Sequence, residues 1–152
     1  MKISVLKEQE KAATGFTHKA IIAYNPVAAL NDFTAAATTQ TYTLATLASG
    51  SYIGNAALKL VTALSGGSVS AAVALVGKTG TTNAYCTSTD VFTGSTVFYK
   101  AGDGASFNQA GGEIFITSSA LIVTVTTTTA NVSTLTAGEL HVYYKLVDMS
   151  QY

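Results

Sequence analysis

From Ser119 to Thr129 the chain alternates with a period of two. Leu121, Val123 and Val125 fall on one face, and Ile122, Thr124 and Thr126 fall on the other. Successive side chains of a β-strand point to opposite sides, so such a segment gives one face to a core and the other to a hydrated or contacting surface. The final segment follows the same rule, with Leu140, Val142, Tyr144 and Leu146 set against His141, Tyr143 and Lys145. His141, Tyr143 and Lys145 thus read as a solvent or interface face.

The rest of the chain supports strands over helices. It holds 24 threonines and a single proline, Pro26, so β-branched content is high and the breakers are mostly Gly, Asn and Asp. Residues 69–76 place Val69, Ala71, Val73 and Leu75 on one face, and 56–64 offer Leu58, Leu60 and Leu64. Ser65-Gly66-Gly67-Ser68 between them reads as a hairpin turn. Further strands are expected at 19–24, 40–47, 84–92, 96–99 and 113–118. Turn signals stand at Gly77–Gly80, Gly102-Asp103-Gly104, Gly111-Gly112 and Ala137-Gly138. The Ala-rich stretches at 28–37 and 56–63 have Thr and β-branched neighbours and carry no helical stripe, and no internal repeat is visible. About eight strands at this spacing in 152 residues predict one all-β domain, an antiparallel two-sheet sandwich of jelly-roll-like form.

Charge divides the chain. Residues 1–19 hold six of the sixteen charged side chains, Lys2, Lys7, Glu8, Glu10, Lys11 and Lys19. The expected organisation is an N-terminal attachment arm over 1–19 and a nearly neutral sandwich over 20–152. Ile3, Val5 and Leu6, with Lys7 and Lys11, are the arm residues expected to contact a partner. A strand-like edge and an amphipathic helix over 4–13 are both open for this segment. Charged residues are 11% of the chain and its formal net charge is zero. Net charge keeps domains dispersed, so a surface this poor in it is expected to be covered by neighbours, with homo-oligomerisation, a trimer favoured.

Several function classes are excluded on residue types. The chain has eight Lys but no Arg, and outside the arm they are dispersed, which argues against nucleic acid as a partner. No apolar run reaches the length of a membrane span, and the N-terminus has acidic residues where a signal peptide would be apolar, so manufacture in a cytoplasm without processing is expected. Cys86 is the single cysteine and reads as a small buried hydrophobe. Gly77-Lys78-Thr79 has the end of a phosphate-binding loop, but Ala72 stands where that motif needs its first glycine, and the segment ends a strand. His18 and His141 lack partners at ligand spacing, so no metal site is expected. With no His-oriented nucleophile legible, the chain is expected to be non-enzymatic and to carry no cofactor. Asp103 between two glycines suits a turn, with calcium ligation the lesser reading. Asn131-Val132-Ser133 matches a glycosylation sequon but reads as a turn. The eight tyrosines, which include Tyr152, read as core or interface residues before sugar-stacking platforms.

Thr41-Tyr-Thr-Leu44, Leu47-Ala-Ser-Gly50, the run Leu58 to Ser70, Ala101-Gly-Asp-Gly104, and Asn131 to Tyr144 with its Leu-Thr-Ala-Gly lead-in together give the chain a family look. Over residues 38–148 it resembles the small β-sandwich head decoration, or cement, proteins of tailed bacteriophages. The resemblance implies a jelly-roll-like protomer, usually trimeric, bound to the outer capsid surface of the virion near local threefold positions. There it would fasten subunits of the major capsid protein, or contact other virion proteins. It brings no catalytic residues. A tail, baseplate or head-fibre component is the alternative, followed by a carbohydrate-binding adhesin module.

Overall fold

The computed structural model describes residues 1–27, 30–93, 98–99 and 112–149. In chain order its elements are β1 (Lys2–Val5), α1 (Glu8–Thr14), β2 (His18–Asn25), β3 (Leu30–Asn31), β4 (Thr39–Leu47), β5 (Ser51–Ser65), β6 (Ala71–Lys78), β7 (Thr81–Asp90), β8 (Phe98–Tyr99), β9 (Glu113–Ile114), β10 (Ser119–Thr128), a 3₁₀ turn at Val132–Thr134, and β11 (Ala137–Asp148). Among the described residues all the strand pairs are antiparallel.

The strands form two sheets. The first runs β1-β2-β11-β5-β8, with β3 added to β2 and β9 to β5; the second runs β4-β10-β6-β7. If β8 and β9 are taken as one interrupted strand and β1 and β3 as edge additions, the first sheet holds the first, last, third and sixth main strands. The second then holds the second, seventh, fourth and fifth. That order is the double Greek key of a jelly roll. The chain is an all-β, two-sheet antiparallel sandwich.

The alternating segments supply the core. Leu121, Val123 and Val125 of β10 are fully buried, as are Leu140, Val142 and Tyr144 of β11, while Leu146 is partly buried against the same cluster. On β6 the inward residues are Ala72, Ala74 and Val76. Their small volume leaves room for Tyr85, Tyr144 and Phe33, which are among the largest fully buried side chains. The larger Val73 and Leu75 face outward on the same strand and are half-buried.

Three expectations change. Ser65–Ser68 is not a hairpin turn, because β5 lies in the first sheet and β6 in the second. Gly66 and Gly67, at φ 140° and 52°, turn the chain across the sandwich against the Thr134–Thr136 stretch, which a Cβ at Gly66 would strike. The tight two-residue hairpin joins β6 to β7 through Thr79-Gly80, with Lys78 opposite Thr81. The strand expected at 113–118 is only Glu113–Ile114, and β5 starts at Ser51 rather than 56. Residues 96–97, Gly102-Asp103-Gly104, Gly111 and Tyr152 lie outside the described residues, so the strand expected at 96–99 is described only over Phe98–Tyr99.

The N-terminal arm is present, as strand β1 and helix α1, but it is laid on the sandwich. Lys2, Ile3, Ser4 and Val5 pair with Ile21, Ala20, Lys19 and His18, and the proposed division at residue 19 falls inside β2. Both readings of the segment hold in part, with strand first and helix after it. The helix starts where the Glu10 carboxylate accepts the Lys7 N–H at 3.0 Å, and it ends at left-handed Gly15.

Candidate docking surfaces

At one margin of the first sheet lies β1. Its inner edge pairs with β2, and among the described residues no strand pairs with its outer edge. Directly opposed residues of a ladder share a side, so Ile3 lies on the core side with Ala20. Ala20 is fully buried, yet Ile3 is 42% and Val5 63% exposed, so the second sheet does not reach over β1. Two aliphatic side chains therefore stand in solvent beside a row of unpaired backbone groups.

The other arm residues behave differently. Leu6 is 6% exposed and closes a small cluster with Phe16, Ala57 and half-buried Tyr143 on the outer face of the first sheet. Its side chain is therefore packed within its own chain, unlike exposed Ile3 and Val5. Lys7 is exposed at the start of α1, and Lys11 is ion-paired with Glu8 at 2.6 Å. Burial and then the Lys11 charge hold His18 below the usual imidazole range.

That outer face also carries a row of charge. Across the sheet, Lys2 stands opposite Ile21, Ile21 opposite His141, and His141 opposite Lys59. In the next row Ser4, Lys19, Tyr143 and Ala57 are aligned. The Lys19 ammonium lies 5.6 Å from the centre of the Tyr143 ring. His141 Nε2 is bonded to the Glu139 carboxylate, and His141 Nδ1 is buried with no hydrogen-bond partner. Burial pushes the His141 pKa down; the Glu139 bond opposes this, and Lys19 and Lys59 add to it.

The outer face of the second sheet is of another kind. Thr39 and Thr41 of β4 meet Thr126 and Thr124 of β10 at 3.2 and 3.4 Å between hydroxyl oxygens, and Val73 and Leu75 complete the rows on β6. Asp90, opposite Val73 on β7, adds a charge at its margin.

At one end of the sandwich Tyr85 donates to Glu113 Oε2 at 2.8 Å, and Lys78 is ion-paired with the same carboxylate. Burial, then the Glu113 bond and charge, push the Tyr85 phenol well above its ordinary range. It stays protonated at neutral pH, and the trio ties β6 and β7 to β9. Lys78 of the Gly77-Lys78-Thr79 sequence thus ends β6 beside a hairpin, with no helix following. Cys86 is buried, with its thiol 4.0 Å from the Ala56 carbonyl. Among the described residues no group of three His, Cys, Asp or Glu is placed to hold a metal ion.

Of the residues expected to contact a partner, Ile3 and Val5 share an exposed edge, while Lys7 and Lys11 sit on the adjacent helix. The row joining Lys2 and Lys59 to His141, with Lys19 in the row beside it, was not anticipated. Its only sequence signal is the outward alternation of His141, Tyr143 and Lys145, and the partners come from strands far away in sequence. No family model, curated protein or solved structure matches this chain.

Proposed function

We propose that this chain is a non-enzymatic structural subunit that docks on a larger assembly, and specifically a decoration protein on the outer capsid surface of a tailed phage. The observation that carries the docking reading is β1: a sheet edge with open backbone groups flanked by solvent-exposed Ile3 and Val5. Exposed edges of this kind add strands from other chains unless they are covered. A net charge of zero and a threonine-rich second face supply little repulsion against such a contact. The jelly-roll protomer agrees with the decoration class that the sequence resembles, and in that class homotrimers clamp neighbouring capsid subunits.

The test is an Ile3→Lys/Val5→Lys variant compared with the unaltered chain. Both positions are exposed, so the variant keeps its unfolding midpoint. The unaltered chain sediments as a trimer at tens of micromolar and rebinds particles stripped of it, and the variant does neither. A monomeric wild type that also fails to bind particles overturns the reading.

A further inference from the structure

The outer face of the first sheet carries a charge that the whole chain does not. Lys2, Lys19, Lys59 and Lys145 come one each from β1, β2, β5 and β11, and the ladder registers put them on the same side as His141 and Tyr143. The carboxylate facing them on these strands is Glu139, which is already engaged by His141. Three other acids are paired elsewhere, Glu113 with Lys78, Glu8 with Lys11, and buried Asp32 with the Met1 amino group, and the Glu10 carboxylate accepts the Lys7 N–H. Among the described residues none of the four lysines is in an ion pair. Lys2 and Lys59 end a row that crosses four strands, a span of about 14 Å at the usual strand spacing. Beside this row runs a trough of about 490 Å³, lined by Lys2, Ile21, Ala23, Thr62, Ala137 and Glu139 among others.

We infer that this face receives an acidic peptide segment of the assembly partner, with an apolar side chain in the trough and carboxylates on the four ammonium groups. The inference rests on the docking reading and names the chemistry of the partner. A net positive face on a neutral domain selects an anionic partner and sets its orientation. Lysines act as point charges and suit separate carboxylates along an extended segment. Nucleic acid fits less well. Of the rings on this face, Phe16 and Tyr143 pack together at 5.8 Å and half-buried Tyr52 sits opposite Val147 beside Lys145, and the chain has no arginine to clamp phosphates.

The experiment is an NMR titration of the isotopically labelled full chain. One probe is a synthetic peptide of Asp and Glu with a central Leu, and the other is its Asn and Gln counterpart. Shifts are expected on the outward residues of β1, β2, β5 and β11 with the acidic peptide alone, and they vanish at about 0.5 M salt, where exposed charges are screened. The Lys19→Gln/Lys59→Gln variant binds roughly tenfold more weakly, and Lys2→Gln/Lys145→Gln, a second way of removing charge, does the same. Shifts elsewhere, equal shifts with the neutral peptide, unchanged binding by both variants, or tighter binding of duplex DNA each overturn the inference. Particle binding that is lost in Ile3→Lys/Val5→Lys but kept in both glutamine variants removes this face alone and leaves the docking reading standing.

Discussion

Replacing Leu6 with alanine tests whether the N-terminal segment is held by its own sandwich. Leu6 is 6% exposed and packs with Phe16, Ala57 and Tyr143, a cluster separate from the main core. Buried leucine-to-alanine changes cost about 2–5 kcal/mol, the upper values arising where a rigid cavity remains. This cluster lies on an outer sheet face under a helix of 7 residues, so it can partly collapse, and about 2–3 kcal/mol is expected. For a chain of this length each kcal/mol moves the midpoint by about 2–4 °C, so the variant melts roughly 5–10 °C lower. Urea unfolding followed by tyrosine fluorescence measures it directly, since the chain has no tryptophan. Val5→Ala, one residue earlier at 63% exposure, is the control and changes stability by no more than about 0.5 kcal/mol. If Leu6→Ala falls within the same limit, the segment is not anchored by this contact and swings free of the sheet.

Val123→Asp buries an unpaired carboxylate between Tyr42 and Val76 at a fully buried position, and the expected result is loss of soluble folded protein; a native-like soluble variant puts the core on the wrong face. Gly77→Ala places a methyl group against the Thr81 and Thr82 backbone, which cannot yield as a side chain would, and a loss of at least about 2 kcal/mol in urea is expected. Both histidines have pKa values lowered by burial, so below about pH 6.5 the unfolded chain takes up protons that the folded chain does not. Stability therefore falls as pH drops from 7.5 to 5.5, and His141→Gln removes part of that slope; a midpoint flat across this window contradicts the assigned burial.

The sheets were legible wherever one strand alternated cleanly. Leu121, Val123 and Val125 declare their face because β10 is flanked on both sides and these three are fully buried, although Ile122 and Thr124 on the other face are buried as well. The pattern misled at Ser65–Ser68, since a Gly-Gly turn between two strand-like runs reads the same whether the chain returns to its own sheet or crosses to the other. Only long-range pairing, β5 with β11 and β6 with β10, decides that. The exposed edge was readable in part, because Ile3 and Val5 alternate with Lys2 and Ser4. Leu6 was assigned to the same surface because one-dimensional spacing does not reveal that the chain turns after Val5 and tucks Leu6 beneath Phe16. The lysine-bearing face was hidden for a related reason: Lys2, Lys19, Lys59 and Lys145 are dispersed along the chain and come to one face only through strand register.

Quantifying the chain against the major capsid protein in gradient-purified native particles, by mass spectrometry on intact and tail-free heads, tests the docking role most directly. A decoration subunit is present on tail-free heads at a fixed ratio to the capsid protein, one trimer per repeating lattice position, and it is released by mild treatment without opening the shell. A chain absent from heads, or found only with tails or free in the soluble fraction, contradicts that role.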